Sequence, residues 1–175
     1  MVEVFAESGI TPRFLTLLEA EDLSGTTAID AGCGTGRLTL LLGKHCRRVI
    51  GVDWDEEAIR EGEKRALALG LSNVEFFIGD VEAIEYHAWH PELVGAHLCM
   101  SDAIIERSSR ALGPGQLLAF VCLHVDQWRE TRSVSRYAYD EGRLRSVLIA
   151  NGFVVERLEV EQEVRRFSSI DEAVA

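Results

Sequence analysis

The sequence has no apolar run near the roughly 20 residues that a membrane helix requires. Its first residues also lack the basic, apolar pattern of a secretion signal, because Glu3 and Glu7 interrupt the only candidate. Both absences lead to the expectation of a cytoplasmic protein without membrane contact. Cysteine is sparse: Cys33, Cys46, Cys99 and Cys122 stand at wide, irregular spacings with no C-x-x-C pair. That argues against a disulfide framework and for reduced thiols. Positive charge is short as well, with 18 Lys and Arg against 29 Asp and Glu and a net charge of −11. The overall field repels polyanions, and Arg143, Arg145, Arg165 and Arg166 are scattered among carboxylates rather than gathered on a basic face. Nucleic acid is therefore disfavoured as a partner. Repeats and low-complexity tracts are absent too, and 175 residues suit one domain, 1–175, with a substantial core.

What is present is an alternation of short apolar runs with helical patterns, the signature of a parallel sheet covered by helices. Thr11 and Pro12 suit the start of a first helix whose apolar stripe is Phe14, Leu15, Leu17 and Leu18. Strands are expected at 26–30, 48–53, 74–78, 93–99, 117–123 and 153–160, with helices at about 37–44, 55–70, 101–112 and from Asp140 to Asn151. The run 117–123 is almost wholly apolar and reads as the buried middle of a parallel sheet. The segment 124–139 has no clear period and reads as a long loop over the C-terminal edge. This order predicts a doubly wound α/β fold: a mostly parallel, Rossmann-like sheet with helices on both faces.

Three features fall at the C-terminal ends of successive strands, where open α/β sheets bind ligands. The first is Asp30-Ala31-Gly32-Cys33-Gly34-Thr35-Gly36, whose glycines allow a sharp turn and close approach of a ligand to the backbone. A dinucleotide site wants G-x-G-x-x-G, but the third glycine would fall where Arg37 stands. The loop suits a neutral nucleoside with an amino-acid tail better than a pyrophosphate. The second feature is Asp53, whose carboxylate only accepts hydrogen bonds and so suits a pair of ribose hydroxyls; Trp54 beside it offers an adenine face a packing surface. The third is Gly79-Asp80, where Asp80 suits the adenine amino group and the Val81 N–H a ring nitrogen. Each feature alone is as often a tight turn or a helix cap. Together they are hard to obtain by accident.

With these residues in register, the stretch from Thr26 to Val160 resembles the class I S-adenosylmethionine-dependent methyltransferases. The resemblance implies that Asp30, Gly32, Cys33, Gly34 and Gly36 hold the methionine portion of S-adenosylmethionine. It implies that Asp53 and Trp54 hold the ribose and adenine region, that Asp80 and Val81 hold the adenine, and that Ala96, His97 and Leu98 lie beside the methyl group. S-adenosylhomocysteine would be the product. Gly113-Pro114-Gly115 resembles the family's turn before strand five, with Gln116 in place of the usual final Gly. One departure stands out. The family's sheet closes with a seventh, antiparallel strand after a hairpin, whereas 153–167 shows no turn residue and Ser169-Ile170-Asp171 reads as a helix start. The final strand is thus expected to be missing, in a truncated chain or an unusually short member.

For the chemistry, His97 is the best-placed candidate base, against the alternative that it only orders the cofactor. His124, Tyr137 and Tyr139 are weaker acceptor-site candidates. His97 with Cys99, and Cys122 with His124, would share strand faces, but small thiols inside parallel strands are usually core residues, so no metal is expected. The absence of N/D-P-P-Y after strand four and of a Pro-Cys pair disfavours amide and cytosine C5 methylation of those types. A small-molecule acceptor is the first expectation, a protein side chain the second and RNA the third. Two other readings stay open: a non-catalytic S-adenosylmethionine-binding module, and a nicotinamide-dependent oxidoreductase that Arg37 argues against. Oligomeric state is not readable.

Overall fold

A computed structural model of the chain describes residues 9–127 and 135–161. Its centre is a five-stranded parallel sheet made of β1 (Thr27–Ala31), β2 (Arg48–Asp53), β3 (Val74–Ile78), β4 (Leu93–His97) and β5 (Leu117–Val121). The strand order is β3-β2-β1-β4-β5. The order reverses between β1 and β4, which opens a crevice at the C-terminal edge of the sheet's middle. The doubly wound α/β architecture read from the sequence is the one observed.

Side-chain alternation on β1 sorts the core into two layers. Ile29 and Ala31 face a cluster built with Ile104, Ile105, Leu144 and Leu148, from α4 (Asp102–Ala111) and α5 (Glu141–Ala150). Ala28 faces the opposite cluster with Phe14 and Leu18 of α1 (Pro12–Glu19) and Leu38 and Leu42 of α2 (Arg37–Leu42). Asp30 shares the face of Ala28, so a carboxylate is delivered beneath α2. The remaining helix, α3 (Glu56–Ala68), is capped by Asp55, which accepts from the N–H groups of Glu57 and Ala58. It carries Glu56 and Glu57 in its first turn and Arg65 in its last, in accord with the helix dipole. Gly70, at φ 68°, follows it in the left-handed conformation expected there.

Three expectations are corrected. Residues 153–160 form no strand, although Phe153 and Val155 do turn inward while Val154 is 86% exposed. Alternation reports which side chains find the core, whereas a strand also needs a neighbour's backbone to pair with, and these residues form no ladder. Among the described residues β5 is an edge strand, half-buried along its length, rather than the sheet's middle. Its predicted continuation to Leu123 also breaks at Cys122, and Leu123–His124 (β6) pairs instead with Ala138–Tyr139 (β7), so part of the expected 124–139 loop is ordered backbone pairing. Residues 128–134 of that loop, and the expected helix start at 169–171, lie outside the described residues. No helix among the described residues is long and apolar enough to cross a membrane.

Candidate functional site

The loop after β1 is drawn to the end of β2. The N–H groups of Gly32 and Cys33 both donate to the Val52 carbonyl, at 2.9 and 3.0 Å. The Gly34 N–H donates to Asp53 Oδ2 at 2.8 Å, while Asp53 Oδ1 accepts from the Asp55 N–H at 3.0 Å. Asp53 therefore clasps the glycine loop to the start of α3. Gly32, Gly34 and Gly36 have φ of 76°, 51° and 83°, a region that L side chains rarely adopt. A Cβ on Gly32 would lie 2.4 Å from Cys99 Sγ, and one on Gly36 would lie 2.8 Å from the Phe76 ring. A Cβ on Gly34 would meet nothing within 4 Å. Two of the glycines are thus demanded by what lies against them, and the third leaves bare backbone beside open space.

That space is a cleft of about 240 Å³ lined by Asp30, Gly32, Cys33, Gly34 and His97, with Thr35, Arg37, Leu38 and Ala58 completing it. Asp30 is 1% exposed and accepts from the Thr39 hydroxyl at 2.6 Å. Burial pushes its carboxyl up to about 7; the Thr39 hydrogen bond opposes this and the neighbouring charge of Asp53 adds to it. The same burial, with the charges of Asp53 and Asp30, pushes the Cys99 thiol up to about 11, and it raises Cys33 further. Burial and the neighbouring carboxylates thus disfavour the thiolate at Cys33 within the loop and at Cys99 against it.

His97 forms the opposite wall. Its Nε2 accepts the Thr11 N–H at 3.1 Å and lies 3.0 Å from the Thr11 hydroxyl, while its ring stacks on Phe14 with centroids 6.3 Å apart. A backbone N–H can only donate, so Nε2 carries a lone pair and the ring proton sits on Nδ1. Burial, and secondarily the Arg37 charge, hold the imidazole below its ordinary range. Leu98 follows at φ 63°, a left-handed non-glycine backbone at the end of β4, and donates its N–H to Val121 at 2.8 Å. Such a conformation costs about 1–2 kcal/mol and marks a place where the surroundings dictate the chain's path.

Other expected site residues lie around this cleft rather than in its lining. Gly36 closes the loop over Phe76. Trp54 is 78% exposed, next along from Asp53. Asp80 is exposed and accepts from the Glu82 N–H at 2.8 Å, whereas Val81 is buried and its carbonyl accepts from the Tyr86 hydroxyl. Ala96 is fully buried behind the β4 end. Tyr139 is buried with its hydroxyl given to Asp102, and His124 contacts Glu141. Among the described residues there is no group of three or more His, Cys, Asp or Glu side chains able to hold a metal.

Sequence reasoning did not assign the lining residues Thr35, Arg37, Leu38 and Ala58, or Thr39 behind Asp30, to the site. Thr39 was signalled as the sole polar residue in the run Leu38-Thr39-Leu40-Leu41-Leu42. Arg37 had entered only as the residue that breaks the dinucleotide spacing. As the first residue of α2, with no acidic residue in that turn, it sets a cation against the helix dipole.

A family model described as a methyltransferase domain matches residues 22–148. An uncharacterized RNA methyltransferase of Chlorobaculum tepidum is 37% identical over 91 residues, which cover 52% of this chain and 16% of that protein. The tRNA (uracil-5-)-methyltransferase homolog A of Mus musculus is 41% identical over 58 residues, covering 33% of this chain and 10% of that protein. The chain thus spans less than a fifth of either relative. Among solved structures, magnesium protoporphyrin IX methyltransferase from Synechocystis with bound S-adenosylmethionine superposes with a TM-score of 0.69 at 19% identity, covering 89% of this chain and 73% of that one.

Proposed function

The chain belongs to the class I S-adenosylmethionine-dependent methyltransferase family, and from that premise we propose that the cleft between the glycine loop and His97 holds the cofactor and that the methyl acceptor is a small molecule. The observation that carries the cofactor assignment is the clasp of Gly34 by Asp53, which joins the ends of β1 and β2 around bare backbone. S-adenosylmethionine supplies an activated methyl group on a sulfonium, so the protein's own work is to bind, orient and exclude water.

The residues present fit that group. The open side of Gly34 lets a ligand approach the main chain, and the buried Asp30 carboxylate suits the amino group of the methionine tail. Each Asp53 oxygen accepts one backbone N–H and keeps a lone pair, which suits two ribose hydroxyls. Trp54, Asp80 and Val81, at the next strand ends, extend the same path for the adenine. Ala96, His97 and Leu98 place the β4 end opposite the loop.

Asp53→Ala is expected to weaken S-adenosylhomocysteine binding by roughly 1–3 kcal/mol, the cost of leaving charge-assisted hydrogen bonds unmade. Isothermal titration with a circular-dichroism check of the fold measures it. Unchanged affinity in a folded variant would remove Asp53 from the site.

For the acceptor, the support is electrostatic. A net charge of −11 opposes the approach of a polyanion, and burial disfavours the thiolate form of Cys33 and Cys99 that attack on a base would use. The RNA methyltransferases among the relatives favour a second reading, RNA as acceptor. Transfer of labelled methyl from S-adenosylmethionine into a metabolite extract, against total RNA, decides between them. Label in RNA alone would overturn the small-molecule reading.

A further inference from the structure

We infer that His97 is a positioning residue whose Nε2 lone pair latches helix α1 behind the His97 wall of the cofactor cleft, so that α1 and the wall hold each other in place. The inference rests on the cleft being the S-adenosylmethionine site. Thr11 is the N-cap residue of α1, yet its side chain makes no capping bond within the helix. Both of its polar groups, N–H and hydroxyl, turn to the one nitrogen of His97, 86 residues away in sequence. One turn further on, Phe14 lays its ring on the same imidazole. A second tie lies beside the first, where Arg37 donates to the Gly9 carbonyl at 3.4 Å.

The latch joins three segments. His97 ends β4, Arg37 begins α2 directly after the glycine loop, and both line the cleft. Residues 9–14 are thus held by side chains that the cleft also uses, in addition to the core packing of Ile10 and Phe14 and the Arg13–Glu159 ion pair. The charged groups around His97 are Arg37 on α2 and Asp30 at the end of β1, both lining the same cleft, while α1 presents the uncharged Thr11 and Phe14. The acceptor must be the neutral ring, since an imidazolium has no lone pair to offer Thr11. A nitrogen committed in this way is not free to take a proton from an acceptor. His97 on this account orders the site through α1 rather than acting as the base.

The test uses His97→Ala, His97→Gln and Thr11→Val in the full chain, read by hydrogen exchange of the α1 amides and by the release rate of S-adenosylhomocysteine. Gln can place a carbonyl oxygen where Nε2 stands. In His97→Ala, α1 exchange and ligand release are both expected to rise about 10-fold or more, as for the loss of one to two hydrogen bonds. Thr11→Val moves both readouts the same way, and His97→Gln returns both most of the way to wild type. In the wild type, protection of the α1 amides relative to their intrinsic exchange rates falls as pH drops below the ordinary histidine range; in His97→Gln it does not. Wild-type α1 exchange in His97→Ala would overturn the latch. So would a His97→Gln variant as impaired as His97→Ala with Thr11→Val unaffected. If S-adenosylhomocysteine fails to bind the wild type, the cofactor reading falls, and the α1 exchange series still decides the latch by itself.

Discussion

Replacing Asp30 with Asn is expected to stabilise the ligand-free protein by roughly 4 kcal/mol at pH 8 and by nothing at pH 3. The size follows from a carboxyl raised from an ordinary 3.8 to about 7, at 1.36 kcal/mol for each tenfold change in proton affinity. The sign follows from which state holds the proton. Between 3.8 and about 7 the folded protein binds a proton that the unfolded chain has released. Stability therefore falls as pH rises through that window, and the full cost of the buried charge is present above it. Asn carries no charge to bury and still offers Thr39 an acceptor, so it escapes the cost. Urea unfolding of both proteins at pH 4, 6 and 8 measures the effect; a difference that does not grow with pH would mean that Asp30 is not desolvated. The same substitution is expected to weaken S-adenosylhomocysteine binding, because the amino group of the ligand loses its counter-charge. A site residue that costs the empty protein stability is the usual sign of a group retained for its ligand.

The second large effect separates two glycines of one loop. Gly32→Ala is expected to destabilise the fold by roughly 3 kcal/mol, combining a left-handed backbone penalty with overpacking. The new methyl would lie 2.4 Å from Cys99 Sγ and 2.7 Å from its Cβ, and a side chain met at its root has no room to swing aside. Gly34→Ala is expected to cost the fold only about 1 kcal/mol, the strain of its φ, since nothing occupies the space around it. It is expected nonetheless to abolish measurable S-adenosylhomocysteine binding, because the methyl projects from backbone that borders the cleft. Thermal melts and titration of the two variants form the check. Equal melting temperatures would contradict the packing argument, and retained binding in Gly34→Ala would contradict the cleft assignment.

Residue order alone revealed the features that depend on local rules. The glycines after Asp30, the acid that ends β2 and the cap at Asp140 are set by neighbours a few positions away; for the helix after β4 both Ser101 and Asp102 suit the cap by sequence, and Ser101 is the one that takes it. The doubly wound architecture followed from the alternation of strand and helix, whereas the place of β5 at the edge of the described sheet did not. What escaped was long-range. Nothing near Thr11 indicates that its hydroxyl would leave its own helix for His97, and nothing near Thr39 indicates a partner at Asp30 except its isolation among leucines. The tract 153–160 shows the converse error. Its inward and outward residues alternate as in a strand, but pairing depends on a neighbour that periodicity does not report.

Phe76 has a role that reaches beyond its place on β3. Methyl groups added to Gly36, Gly51 or Gly62 would each come within 3.0 Å of its ring, from the loop, from β2 and from α3 respectively. One phenyl ring thus sets the height at which the loop rides above the sheet and the distance at which α3 approaches it. The ring therefore bears on all three glycines, but it is the sole constraint at only one of them. A smaller side chain at 76 frees position 62, where the ring is the only near neighbour, whereas Gly36 stays bound to glycine by its φ of 83° and Gly51 by Thr39 Oγ1 at 2.9 Å and Cys33 Sγ at 3.1 Å.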